Sequence, residues 1–125
     1  MTINTKRIHD KVDVTDGTRI LIVRNERIAH MIKCPFDESI KELAPSNDLY
    51  TKYNSNIRYH KWTDKEWRDY ALRFREEMNS PESQNAITNL RERSRLGEHI
   101  TLLYYCKNEQ RCHRNIVKDL IESTN

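Results

Sequence analysis

"HITLLYYCKNEQRCHRNIVKDLI", residues 99–121, is the stretch on which the fold turns. It opens with an almost unbroken run of apolar, β-branched and aromatic side chains, too short for a helix and of the right length for a strand covered on both faces. It closes with Ile116, Val117, Leu120 and Ile121 at helical spacing, which predicts an amphipathic helix over about 109–123. Between them lie Cys106, Cys112, His113 and Arg114. A buried strand that hands over to a helix is the unit from which parallel sheets are built.

Working outward, "RILIVR" (19–24) repeats the continuous apolar pattern and predicts a second strand with both faces buried. "INTKRIHD" (3–10) alternates weakly and suits a short first strand over about 3–8. Asp16-Gly17, within "VTDGTR", marks the turn between them, because this dipeptide adopts positive φ at little cost. The remaining segments are helical in pattern. "PFDESIKEL" (35–43) places Phe36, Ile40 and Leu43 at helical spacing before "APS" stops it. Thr63 and Glu66 form a capping box ahead of Trp67, Tyr70, Ala71, Phe74 and Met78 on one face. Pro81 suits a first helical position, Ala86, Ile87 and Leu90 form the next stripe, and Gly97 ends it. The expectation is a single domain over 1–125: a small layered α/β domain, with a short, mostly parallel sheet of about three strands flanked by about five helices.

The composition fits that size. A chain of 125 residues buries a real core, although only 36% of it is hydrophobic and 33% is charged. Trp62, Trp67 and six tyrosines argue against disorder. The net charge of +3 permits an anionic partner without the concentrated excess of a nucleic-acid-binding domain, so nucleic acid is not indicated. An odd count of three cysteines, with no apolar leader at the N-terminus, points to a reducing, cytoplasmic setting rather than a disulfide framework. No stretch has the length of a membrane span. The sequence does not indicate an oligomeric state.

The segments "KRIHD", "DGTRILIVR", "FDESIKELAPS", "WTDKEWRDYALRFREEM", "ITLLYYC" and "CHRNIV", in that order from about Lys6 to Ile121, resemble the domain-of-unknown-function family 488. "KELAPS" (41–46) is the most specific piece, supported by Asp37 and Trp67. The resemblance implies a compact α/β domain of a cytoplasmic, prokaryotic type and brings no established reaction. It also marks a departure. Where relatives continue the second strand with Asp-Arg and then Trp-Pro-Arg-Gly, this chain has "VRNERIAHMIK" (23–33). Arg24 matches the arginine and Arg27 is the candidate for the second, but Val23 replaces the acid, and the Trp-Pro and Gly are missing.

In parallel sheets, ligands bind beyond the carboxyl ends of the strands. That singles out the residues immediately after "RILIV" and "ITLLYYC". A thiol at Cys112 near a helix N-terminus, beside His113 and Arg114, is placed for a lowered pKa and nucleophilic work, with His113 as acid or base. Arg114 and the free amides of the helix suit a phosphate or carboxylate. Arg24, Arg27, Lys41 and Cys106 are the other candidates for lining the same crevice. The competing explanations are structural. Cys112, Ile116 and Leu120 lie four apart, so Cys112 also reads as the top of a core stripe, with Arg114 turned away from it toward solvent. Arg24 and Arg27 equally read as surface residues, or as partners of Asp37 and Glu38.

A metal site drawn from Cys106, Cys112 and His113, with Cys34 or His30, has a Cys-x5-Cys-His spacing outside the usual zinc patterns, and none is expected. "RERSR" (91–95) and the aromatic-basic "YNSNIRYHKW" (53–62) read as a helix end and as packing rather than as nucleic-acid surfaces. With two glycines in the chain there is no phosphate-binding glycine loop, and no cofactor is expected. Two classes stay open. One is a domain that binds a small anionic ligand at the carboxyl edge of its sheet, with or without turnover. The other is a non-catalytic regulatory module, binding nucleic acid or protein, with a degenerate site.

Overall fold

The computed structural model describes residues 3–59, 61–104 and 111–123. The elements run β1 (Ile3–Arg7), β2 (Thr18–Leu21), α1 (Arg27–Met31), β3 (Glu38–Ser39), α2 (Asn47–Lys52), α3 (Asn54–Tyr59), α4 (Asp64–Glu77), α5 (Pro81–Arg95), β4 (Ile100–Tyr104) and α6 (His113–Glu122). The expected α/β class and parallel sheet are present. The four strands stand in the order β1-β4-β2-β3, and every pairing is parallel. The apolar run at 100–104 is a central strand of this sheet and is buried throughout.

Register sorts the side chains between the two faces, because paired residues of neighbouring parallel strands point the same way. Asn4, Thr101 and Arg19 lie in one row, and Lys6, Leu103 and Leu21 in the next on the same face. Arg7 pairs with Tyr104 on the opposite face, which Ile100, Leu102 and Ile20 share. The Tyr104 ring lies 3.9 Å from that of His113, so α6 packs on this second face. Phe74 of α4 also meets the His113 ring, at 5.4 Å.

The first face is closed by the loop before β2. Asp16 accepts hydrogen bonds from the Asp13 amide and from Lys6 Nζ, and pairs with Arg19. Burial by itself would raise the Asp16 carboxyl, but these donors outweigh it and hold the pKa below the ordinary carboxylate value. The Asp16 carbonyl accepts from Thr101 Oγ1 at 2.7 Å. Gly17 follows at φ +65°, where a Cβ would stand 2.2 Å from the His99 carbonyl oxygen, so the turn requires glycine.

One expected helix does not form. Within 35–43, the Asp37 and Ile40 amides instead donate to the Arg19 and Leu21 carbonyls, making β3 an edge strand, and only Lys41–Leu43 coils, as a 3-10 turn. The open edge of β2 offered more backbone partners than an isolated turn of helix. The "KELAPS" turn is then fixed from three sides. Ser83 Oγ donates to the Glu42 carbonyl, the Ser46 amide donates to Glu77, and Arg24 Nε donates to the Pro45 carbonyl. The Thr63–Glu66 capping box and Pro81 at the head of α5 form as the sequence indicates.

Candidate functional site

The carboxyl edge of the sheet is where β2 gives way to Ile22 and Val23, and where β4 ends at Tyr104. Beyond it lies a cleft of about 560 Å³, walled by Val23, Ile28, Met31, Pro45, Tyr50 and Tyr104 and flanked by Arg24 and Arg27. A shallower depression of about 690 Å³ adjoins it and brings Arg24, Arg27 and Lys41 together with Glu26 and His30. Three of the residues singled out from sequence therefore share one concavity. Arg24 is also committed to structure, donating to the Pro45 carbonyl at 2.7 Å and the Ala44 carbonyl at 3.4 Å. Neither Arg24 nor Arg27 takes Asp37 or Glu38 as partner. Asp37 accepts from the Arg19 amide, and Glu38 pairs with Arg93.

Cys112, His113 and Arg114 do not line this cleft, although the His113 ring packs on its Tyr104 wall. They are 1%, 1% and 2% exposed, respectively. Cys112 is the N-cap of α6, and its side chain makes no capping bond. His113 Nε2 lies 2.9 Å from the Ile22 carbonyl oxygen. A carbonyl can only accept, so Nε2 carries a proton and Nδ1 is the one ring nitrogen left to act as a base in the neutral ring. The imidazole is wedged between Tyr104 and Phe74 and ties the head of α6 to the end of β2.

Of the two readings of Arg114, the one that turns it toward solvent does not hold. Val117 and Ile121 are fully buried, and Arg114 precedes them at i−3 and i−7 on one stripe, at the carboxyl-edge end of α6. Its Nε and Nη1 are enclosed and make no hydrogen bond. Among the described residues no ion pair reaches it. The sequence pattern does not single out Arg7, yet it belongs with Arg114. It ends β1 beside Tyr104 on the same face, half-buried, and its Nε is likewise enclosed without a partner. The signal available is its parity with buried Ile3. Cys106 lies outside the described residues.

Residues 3–125 match the family model described as the active DUF488-N3 subclade, DUF488-N3a. The chain belongs to this family. Comparison with curated proteins and with solved structures returns no match.

The rest of this DUF488-N3a domain offers few competing sites. Cys34 lies by Arg19 Nη2, on the face opposite α6, so it is a sheet away from Cys112. Among the described residues no group of three or more His, Cys, Asp or Glu side chains is placed to hold a metal ion. The arginines of "RERSR" are occupied internally. Arg91 donates to the Leu120 and Ile121 carbonyls at the end of α6, Arg93 bridges Glu38 and Glu98, and Arg95 pairs with Glu92. Tyr53, Trp62, Trp67 and Tyr70 pack on one another rather than forming an open stacking surface. Among the described residues no helix is long and apolar enough to cross a membrane.

Proposed function

We propose that this domain binds a small anion at the carboxyl edge of its sheet, with Arg114 as the principal ligand-binding residue. The observation that carries this reading is the enclosed guanidinium of Arg114, with Nε and Nη1 unpartnered in the first turn of α6. A buried cation without a counter-charge is among the costliest arrangements in a protein interior. Its position compounds the cost, because the positive end of the helix dipole disfavours a cation and favours an anion. An oxyanion bound there satisfies the guanidinium and the first-turn amides together. Arg24, Arg27 and Lys41 on the adjoining rim supply an approach path of the same sign.

The description of the matching subclade as active supports a working site over a degenerate one. The test is a phosphate titration of the full chain followed by 1H–15N correlation, observing the Arg114 Nε–H and the backbone amides of 113–115. Those resonances are expected to move together and to saturate. Shifts confined to exposed lysines, or an unchanged Arg114 Nε–H, would overturn the reading.

A further inference from the structure

We infer that Arg7 is the second arginine of this site and that the ligand is a dianionic phosphate monoester with an apolar or aromatic body. This deepens the proposed anion binding and rests on it. Arg7 and Arg114 come from different elements that the fold brings to the same edge of the sheet. Arg7 ends β1 in register with Tyr104, and the Tyr104 ring touches His113, the immediate neighbour of Arg114. α6 packs on both β1 and β4 with the Arg114 stripe inward. Each arginine has an enclosed guanidinium nitrogen that makes no hydrogen bond, and among the described residues neither is joined to a carboxylate.

Charge decides the class of ligand. A carboxylate brings one negative charge and would leave one of the two cations uncompensated. A phosphate monoester brings nearly two, with three terminal oxygens for planar donors that prefer paired contacts. The wall beside the site decides the rest. Tyr104 is shared between His113 and the cleft, and the cleft beyond it is faced by Ile28, Met31, Pro45 and Tyr50. Ile28 and Met31 are exposed apolar side chains that the fold leaves open to solvent. A phosphoryl group held by Arg7 and Arg114 thus directs its ester substituent over Tyr104 into a pocket suited to a ring.

The experiment is calorimetric titration of the full chain with phenyl phosphate, inorganic phosphate and benzoate, repeated with Arg7→Gln and Arg7→Lys. Phenyl phosphate is expected to bind more tightly than inorganic phosphate, and both more tightly than benzoate. Loss of a charge-assisted hydrogen bond in Arg7→Gln should weaken phenyl phosphate by about tenfold to a hundredfold. The benzoate affinity should change by less than about threefold, since one guanidinium already serves one charge. Arg7→Lys should recover part of the loss, which shows that the fold survives substitution there. If Arg7→Gln and wild type bind phenyl phosphate alike, or benzoate binds as tightly as phenyl phosphate, the inference fails while the anion site at Arg114 stands. If none of the three ligands binds, the anion site itself falls.

Discussion

Replacing Arg114 by methionine should make the ligand-free protein more stable, the opposite of the usual result for a buried side chain. Methionine keeps much of the aliphatic stem that packs in line with Val117 and Ile121, and it removes two enclosed donors, Nε and Nη1, that make no hydrogen bond. An unsatisfied buried donor costs about 1–3 kcal/mol. Relief from the unfavourable helix dipole adds about 0.3–1 kcal/mol. Lost contacts of the guanidinium plane and a small cavity subtract from this sum, leaving a net gain of about 1–3 kcal/mol. With an unfolding entropy of about 2.1 cal/mol/K per residue, 1 kcal/mol corresponds to about 4 °C for a chain of this length. Tm in phosphate-free buffer should therefore rise by about 4–12 °C, measured by circular dichroism or calorimetry. Saturating phosphate should narrow or reverse the gap, because a ligand at a hundred times its Kd adds about 2.7 kcal/mol to the wild type alone. A lower or unchanged Tm for the variant in phosphate-free buffer refutes the reasoning, since it would mean that the guanidinium is already satisfied within the fold.

Three other contacts lead to measurable outcomes. Asp16→Asn strands Arg19 as a buried, unneutralised cation and should cost about 3–5 kcal/mol, read from the urea midpoint; a cost near zero would mean that the pair is solvated. Both Asp16 and Glu98 have folded pKa values below their ordinary 3.8 and 4.5, Glu98 chiefly through Arg93 and then Thr18. Their contribution is thus complete above those ordinary values and is lost as the pH falls through the lower folded ones, and Asp16→Asn should flatten, without abolishing, the fall of Tm below about pH 4. Gly17→Ala forces a Cβ against the His99 carbonyl at φ +65° and should cost roughly 2–4 kcal/mol; a normal Tm would show that the turn can move. His113→Ala empties the space between Tyr104 and Phe74 and orphans the Ile22 carbonyl, for about 3 kcal/mol. A loss under about 1 kcal/mol on chemical denaturation would contradict the role of the imidazole as a wedge.

The parts legible in the sequence were those with long-range regularity. β4 and β2 declared themselves by unbroken apolar runs, and α4 and α5 by a capping box, an N1 proline and repeated stripes. The short elements did not. β3 exists because the Asp37 and Ile40 amides reach the open edge of β2, a partner that no local window contains. α1, α2 and α3 span at most 6 residues each, too few for periodicity to register. The exposure of Arg114 was left open by the sequence for a different cause. A stripe through Cys112, Ile116 and Leu120 and one through Arg114, Val117 and Ile121 lie about 130° apart around the helix axis. Which of them faces the sheet is set by packing against β1 and β4, and Val117 and Ile121 take the inner line while Leu120 remains partly exposed.

The two faces of the sheet treat buried arginine in opposite ways. On the face away from α6, Arg19 is buried with Asp16 as its counter-charge, its Nε donates to the Pro35 carbonyl, and Asp16 is itself held by Lys6 and the Asp13 amide. That is a self-contained network, satisfied without any outside group. On the face that α6 covers, Arg114 is as deeply buried and Arg7 half-buried, each with enclosed guanidinium nitrogen unpartnered and no paired carboxylate among the described residues. Among the described residues the fold thus neutralises the buried Arg19 internally and leaves the buried Arg114 and the half-buried Arg7 without a paired carboxylate. The open pair lies where β1 and β4 end and α6 begins, at the edge where parallel sheets present their ligands. A purely structural role for Arg7 and Arg114 gives no reason for that asymmetry, whereas the proposed anion from solution would neutralise them as Asp16 neutralises Arg19.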